Sequence, residues 1–297
     1  MTKNKLSPTE QINKNTSNLD TLPLNKMVEV MYKESITAAT CVNKAAPAIA
    51  KAVKEVEAAY KRGSKIFFAG AGTSGRLGVL EAVECPPTFS VPFDLFNPLI
   101  AGGKSAIFKA VEGAEDSREL GAKDFLSEAK KGDILIGIAA SGNTPYVQGA
   151  LEAAKKAGHR TILVACNQNA DTKNVNVFIY LPTGAEVISG STRLKAGTAT
   201  KIALNMITTL AMVRCGKVYK NYMVDVKATN NKLKARAIRL IGLASGISEE
   251  KAKALALETD YNVKASVVMA KLSVSKTQAL ALLKKHKGYL SKIIDDK

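Results

Sequence analysis

Gly70-Ala71-Gly72-Thr73-Ser74-Gly75 is the segment of this chain whose chemistry is easiest to name. Its glycines let backbone N–H groups approach a ligand closely, and Thr73 and Ser74 add hydroxyl donors inside the same turn. An apolar run, Ile66 to Ala69, precedes the turn, and a helical pattern with Leu77, Val79, Leu80 and Val83 follows it. Strand, glycine turn and helix N-terminus in that order make an anion site. Two further segments repeat the theme. Ser141-Gly142-Asn143-Thr144 closes the apolar run 133–140, and Ser191, Thr192, Arg193 and Lys195 stand where another helix begins. Gly72, Thr73, Ser74, Ser141, Asn143, Thr144, Ser191, Thr192 and Lys195 are therefore the candidate ligands of a phosphate and its attached sugar. Gly70, Gly72 and Gly75 also fit the dinucleotide fingerprint G-x-G-x-x-G, with Asp94 available for the ribose. A dinucleotide has no use for three hydroxyl-rich helix starts, whereas one compact sugar phosphate does.

Two acidic clusters complete the inventory. Glu84 precedes Cys85-Pro86-Pro87, and a double proline predicts that the helix stops at Cys85. Glu84 is then expected at a helix C-terminus, where the dipole opposes a carboxylate, as suits a general acid. The plainer alternative is a solvated glutamate at a helix end. Glu112, Glu115 and Asp116 surround Gly113, either as ordinary acids at a helix N-terminus or as a source of a second carboxylate. Cys85 has no histidine near it in sequence and reads as a packing residue. His159 and His286 are the only histidines and no C-x-x-C pair occurs, so no metal site is expected. His159, after a glycine and beside Arg160, reads as a surface residue.

The elements that must position these groups follow from periodicity. Strand patterns at IFFA, FSVPFDLF, DILIGIAA, TILVAC and VFIYL alternate with helical segments between about 64 and 182. That alternation predicts an α/β fold, a doubly wound parallel sheet flanked by helices. The first 20 or so residues are polar and read as an arm, and Leu24 to Tyr60 reads as helical, interrupted only at Pro47. Residues 201–213 read as a buried helix. Segment 226–246 reads as a charged linking helix, and 247–297 as a small three-helix domain with Ser248 as an N-cap.

The chain carries 43 Lys and Arg against 26 Asp and Glu, a net charge of +17. Arginines are few and no aromatics interleave with the lysines, so specific nucleic-acid binding lacks its usual residues. The basic surface suits steering of an anionic substrate. No apolar run reaches the roughly 20 residues of a membrane span, and neither a span nor a secretory signal is expected. The four scattered cysteines suit a reduced, cytoplasmic setting.

GAGTSGRLGVLEAVECPPTF, AVEGAEDS, IGIAASGNTPYV and GAEVISGSTRLKAGTATKIALNMI together closely resemble the N-acetylmuramic acid 6-phosphate etherase family, within the sugar isomerase (SIS) superfamily. The likeness runs from TEQINKNTSNLDTL through NYMVDVKATNNKLKARA. It implies an arm and helix over 1–55, an SIS phosphosugar-binding domain over 56–225, the linking helix 226–246, and a ubiquitin-associated-like helical domain over 247–297. Asn143 stands where family members usually carry arginine, and Ala185 where they usually carry proline.

The resemblance implies cleavage of the D-lactyl ether of N-acetylmuramate 6-phosphate, giving N-acetylglucosamine 6-phosphate and D-lactate without metal or redox cofactor. Glu84 matches the family's proton donor and Glu115 its second active-site acid. Two rival readings share the same phosphate turns: a phosphosugar isomerase, and a non-catalytic sugar-phosphate-sensing regulator. One helix separates Ser74 from Glu84 by more than a hexose phosphate spans, counting about 1.5 Å of rise per residue. A homodimer with shared active sites, the arrangement common among SIS relatives, removes that mismatch.

Overall fold

A computed structural model describes residues 6–295. The chain forms two compact units. One takes in the described residues up to Ala82 together with Asp94–Thr208; the other takes in Val83–Phe93 and Thr209 onward.

The first unit is built on five strands: β1 (Ile66–Gly70), β2 (Phe96–Ile100), β3 (Ile134–Ile138), β4 (Arg160–Ala165) and β5 (Val177–Tyr180). All neighbours are parallel, in the order β2-β1-β3-β4-β5. Strands β1 and β3 are buried at every position, as expected of a sheet covered on both faces. On one face Phe67, Leu135 and Leu163 pack with Phe125, Val147 and Leu151, contributed by α4 (Arg118–Glu128) and α5 (Pro145–Lys156). The other face takes α2 (Ala46–Lys61), which packs on β3 and β5, and α3 (Gly72–Phe89), whose Gly78 lies against Phe68.

This order reverses direction between β1 and β3, and ligands of open α/β sheets bind outside the strand ends at such a switch point. Gly70 and Ile138 are register partners there. The turns that follow them, the Gly70–Ser74 and Ser141–Thr144 segments, therefore leave neighbouring strand ends on the same edge of the sheet.

Three expectations need correction. The helix after the glycine turn does not stop at Cys85: α3 runs through Pro86 and Pro87 to Phe89. A proline inside a helix costs about 3 kcal/mol. Cys85 and Phe89 are buried on the continuing helix, and a buried Phe side chain alone returns about 1.5–3 kcal/mol. Second, the strand predicted over 89–96 lies at Phe96–Ile100, because α3 uses residues up to Phe89. Pro98 is tolerated since β2 is an edge strand. Third, His159 is buried, with Nδ1 3.0 Å from the Asp133 carbonyl and its ring edge-on to Phe125.

The predicted helical stretch 24–60 is α1 (Leu24–Cys41) and α2, separated by a 3-10 turn (Val42–Ala45), with Pro47 in the first turn of α2, where it does least harm. The arm forms three short 3-10 turns between Pro8 and Thr21.

In the second unit, α7 (Asn231–Ser245), α8 (Glu249–Glu258), α9 (Val263–Leu272), α10 (Lys276–Lys285) and the one-turn α11 (Ser291–Ile294) share an apolar core in which Ile241, Val267 and Ile293 pack with the alanines Ala237, Ala252, Ala256 and Ala279. Asn230, Ser248, Asn262 and Ser275 each cap a helix with a side-chain oxygen. The segment read as a linking helix thus contributes to this core. Helix α6 (Lys195–Arg214), like α3, passes from one unit into the other. No helix of the described residues is long and apolar enough to cross a membrane.

Candidate active site

At the β1 turn the glycines are forced by close approach. A Cβ on Gly70 would lie 2.6 Å from the Gly75 nitrogen, and a Cβ on Gly75 would lie 2.8 Å from the Gly70 oxygen. Strand end and helix start therefore touch backbone to backbone. Gly72 opens α3 at φ +51° with free space where a side chain would be. The leading N–H groups of a helix have no intrahelical acceptor, and with the dipole they favour an anion. Thr73 and Ser74 are half-buried, and among the described residues their hydroxyls make no hydrogen bond. The turn opens into a pocket of about 180 Å³ lined by Gly72, Arg76, Glu112 and Glu115. Arg76 Nε donates to the Ile107 carbonyl at 2.9 Å and so fixes the 103–107 turn on that side of the pocket. Glu115 lies in a 3-10 turn (Ala114–Asp116) directly before the Ser117 N-cap of α4.

The β3 turn is braced from within. Asn143 N donates to Ser141 Oγ at 3.1 Å, Asn143 Oδ1 accepts from Asp171 N at 2.9 Å, and Asn167 Nδ2 donates to Ser141 O at 3.1 Å. Asn143 thus spends its carbonyl oxygen on the 167–171 loop. Gly142, at φ +74°, packs so tightly that a Cβ would meet Ala170 at 2.2 Å. Thr144 precedes Pro145 at the start of α5 and is half-buried.

The third candidate region meets the first. A Cβ on Gly197, in the opening turn of α6, would lie 3.5 Å from the Thr73 methyl group. Yet this helix start differs from that of α3. The fully buried Glu186 accepts from Lys195 N at 2.8 Å and Ala196 N at 2.9 Å, so a carboxylate of the protein already fills it. The Lys195 ammonium is buried too, 2.5 Å from Glu34 Oε2 and 2.9 Å from the Ala185 carbonyl. Burial opposes ionisation of Glu34, but hydrogen bonds from Lys195, Asn15 and Asn13 outweigh it and hold its pKa below the ordinary value. Ser191 and Thr192 are half-buried, and Arg193 is exposed.

Glu84 lies on α3 in the second unit, five residues before the helix ends, and is exposed. The helix-end environment expected for it is therefore absent. One turn earlier on the same helix, Glu81 is buried and accepts from Lys201 Nζ (2.9 Å), Asn205 Nδ2 (2.9 Å) and Thr208 Oγ1 (2.5 Å). Sequence reading missed Glu81, Glu34 and Glu186. For Glu81 a signal existed: Lys201, Asn205 and Thr208 recur at i, i+4 and i+7 on an otherwise apolar helix, marking a polar stripe that needs an acid opposite. The cysteines are buried, and burial pushes the Cys166 thiol up to about 12, which argues against thiolate chemistry there.

Residues 48–155 match the family model of the glucokinase regulatory protein N-terminal SIS domain, and residues 220–287 match that of the C-terminal lid domain of glucokinase regulatory protein. The chain is 48% identical over 290 residues to an N-acetylmuramic acid 6-phosphate etherase of Clostridium botulinum (strain Loch Maree / Type A3), covering 97% of this chain and 96% of that relative. This chain belongs to the N-acetylmuramic acid 6-phosphate etherase family. The etherase of Salmonella paratyphi A is 47% identical over 283 residues, with 95% of each chain covered. A solved structure of a candidate phosphosugar isomerase involved in capsule formation, from Bacteroides fragilis NCTC 9343, aligns with a TM-score of 0.51 at 18% identity. It covers 67% of this chain and 95% of its own, and it shows the shared fold. In this member of the etherase family the turn at Gly72–Ser74 is open, whereas the helix start at Lys195 is filled by Glu186.

Proposed function

We propose that this chain cleaves the D-lactyl ether of N-acetylmuramate 6-phosphate, releasing N-acetylglucosamine 6-phosphate and D-lactate. The observation that carries the reading is the near-complete alignment with etherases at 47–48% identity, joined to an open helix N-terminus at the sheet's switch point. The 6-phosphate sits on the leading N–H groups of α3 and the hydroxyls of Ser74, Ser141 and Thr144. The reaction is a carbon–oxygen lyase step followed by hydration. In the open-chain sugar, the C2 proton is acidic because it lies α to the aldehyde, and a carboxylate removes it. Lactate then leaves from C3 as a general acid delivers a proton to the ether oxygen, and water adds to the unsaturated aldehyde. Glu84 and Glu115 are the two carboxyl groups of this scheme. Exposure of Glu84 leaves it able to meet substrate, and Glu115 shares a pocket with Gly72.

The working unit is a homodimer whose sites are shared. Ten residues of one helix separate Ser74 from Glu84, a rise of about 15 Å, whereas a hexose phosphate is about half as long between phosphate and C3. Leu24, Val28, Tyr32 and Ile36 leave an exposed apolar row at spacing i+4 along α1, which suits a second copy. The product, a phosphorylated amino sugar, suits a cytoplasmic role in recycling cell-wall sugars.

Glu84→Gln and Glu115→Gln should each lower turnover by at least about 100-fold while substrate still binds. Near-normal lactate release from either variant would remove that glutamate from the scheme.

A further inference from the structure

The segment 185–196 is held by a part of the chain more than 170 positions away. Gly190 N donates to Thr9 O at 3.0 Å, Ser189 Oγ donates to Glu10 O at 3.0 Å, and Thr16 Oγ1 donates to Val187 O at 2.8 Å. Thr9 and Thr16 are themselves buried. Asn13 Nδ2 reaches both Glu34 Oε2 (2.9 Å) and the Ala185 carbonyl (3.4 Å), and Asn15 Nδ2 donates to Glu34 Oε1 at 2.9 Å. Glu34 then grips the Lys195 ammonium, while Glu186 takes the two leading N–H groups of α6. Arm, α1, loop and helix start form one closed network.

Its logic lies in what it fixes and what it leaves free. The loop backbone is tied at Val187, Gly190, Ser191, Thr192 and Lys195. Between these ties, among the described residues, the hydroxyls of Ser191 and Thr192 make no hydrogen bond. A buried ion pair is a poor source of net stability and a good one of fixed geometry, because its desolvation cost offsets its attraction. A Cβ on Gly197 would lie 3.4 Å from the Thr192 carbonyl and 3.5 Å from the Thr73 methyl group, so the tied segment comes close to the β1 turn. Two hydroxyls on a tied backbone, unbonded among the described residues, are available to an external partner.

We infer that the N-terminal arm and the buried Glu34–Lys195 pair form a clamp that positions Ser191 and Thr192 for the sugar phosphate. Lys195, whose ammonium is consumed by Glu34, is a positioning residue, as are Glu34, Asn13 and Asn15. This deepens the proposed function and rests on its reading of the site, to which it adds Ser191 and Thr192, two of the candidate ligands marked by the sequence.

The test compares steady-state lactate release from N-acetylmuramate 6-phosphate by four full-length variants. Ser191→Ala and Thr192→Val probe the ligand reading. The double variant Asn13→Ala/Asn15→Ala loosens the clamp mildly, and Glu34→Gln/Lys195→Met removes both charges so that neither is left unpaired. The clamp predicts that both double variants raise KM about tenfold with kcat within about threefold, and that amide exchange at 190–194 accelerates. A fall in melting temperature with KM unchanged would make the network merely structural and overturn the clamp, provided Ser191→Ala or Thr192→Val does raise KM. If neither hydroxyl variant changes KM, the ligand reading fails and the clamp fails with it. Should the charge-free double variant not fold, the asparagine pair decides alone.

Discussion

The starts of α3 and α6 look alike in sequence, each a glycine- and hydroxyl-rich turn before an apolar helix, yet the protein uses them in opposite ways. At α3 the turn is backbone packed on backbone, and no carboxylate of the described residues takes its leading N–H groups. At α6 the buried Glu186 occupies the equivalent groups and Lys195 is turned inward to Glu34. An anion-ready helix start is therefore defined as much by what the protein withholds as by the residues that flank it. On the proposed function the open start serves a phosphate, while the filled one carries Ser191 and Thr192, whose hydroxyls make no hydrogen bond among the described residues.

The largest effect is expected from spoiling the backbone contact at the open start. Gly70→Ala pushes a methyl group to 2.6–2.9 Å from backbone atoms of Ser74 and Gly75, which cannot yield as a side chain would. It should destabilise the protein by about 3 kcal/mol or more, read as a lowered denaturant midpoint. Gly72→Ala, with open space and only its φ of +51° to pay for, should cost about 1–2 kcal/mol. Equal costs at the two glycines would contradict the packing account.

At the filled start, Glu186→Gln removes the charge that caps α6 and replaces one acceptor oxygen with a donor. A loss of about 1–2 kcal/mol in chemical denaturation is expected, with little effect on the α3 start. Full retention of stability would mean that solvent caps α6 as well as Glu186 does.

The smallest effect is a dependence on pH. The folded pKa of Glu34 lies below its ordinary 4.5, so ionised Glu34 stabilises the fold above that value and the contribution is lost as pH falls through the folded pKa. Amide exchange should therefore rise at the 185–196 segment under acid conditions before it rises at the Gly70–Ser74 turn. Simultaneous loss of protection at both turns would show that Glu34 has no local role.

Much of this architecture was legible because it is local. The β1 and β3 runs, the turns behind them and the Ser248 cap depend on residues within a few positions of one another. Helix α3 misled because proline rules weigh neighbours only, whereas the burial of Cys85 and Phe89 depends on what they pack against. Pro98 escaped notice as a strand residue because edge position is a property of the sheet, not of FNPLI. The reversal of roles at α6 was the least legible. Glu34 and Lys195 are 161 positions apart, and nothing near Lys195 distinguishes an ammonium aimed at a ligand from one aimed inward.

On the proposed function, the open start of α3 takes the phosphate of an ether-bearing sugar. Lactate release should be measured with the purified wild-type protein and its Ser74→Ala variant, on N-acetylmuramate 6-phosphate and on the unphosphorylated sugar. The account predicts release from the phosphorylated sugar, at least about 100-fold less from the other, and a raised KM in the variant for the phosphorylated substrate alone. Equal turnover of both sugars by the wild type, or no lactate from either, would contradict it.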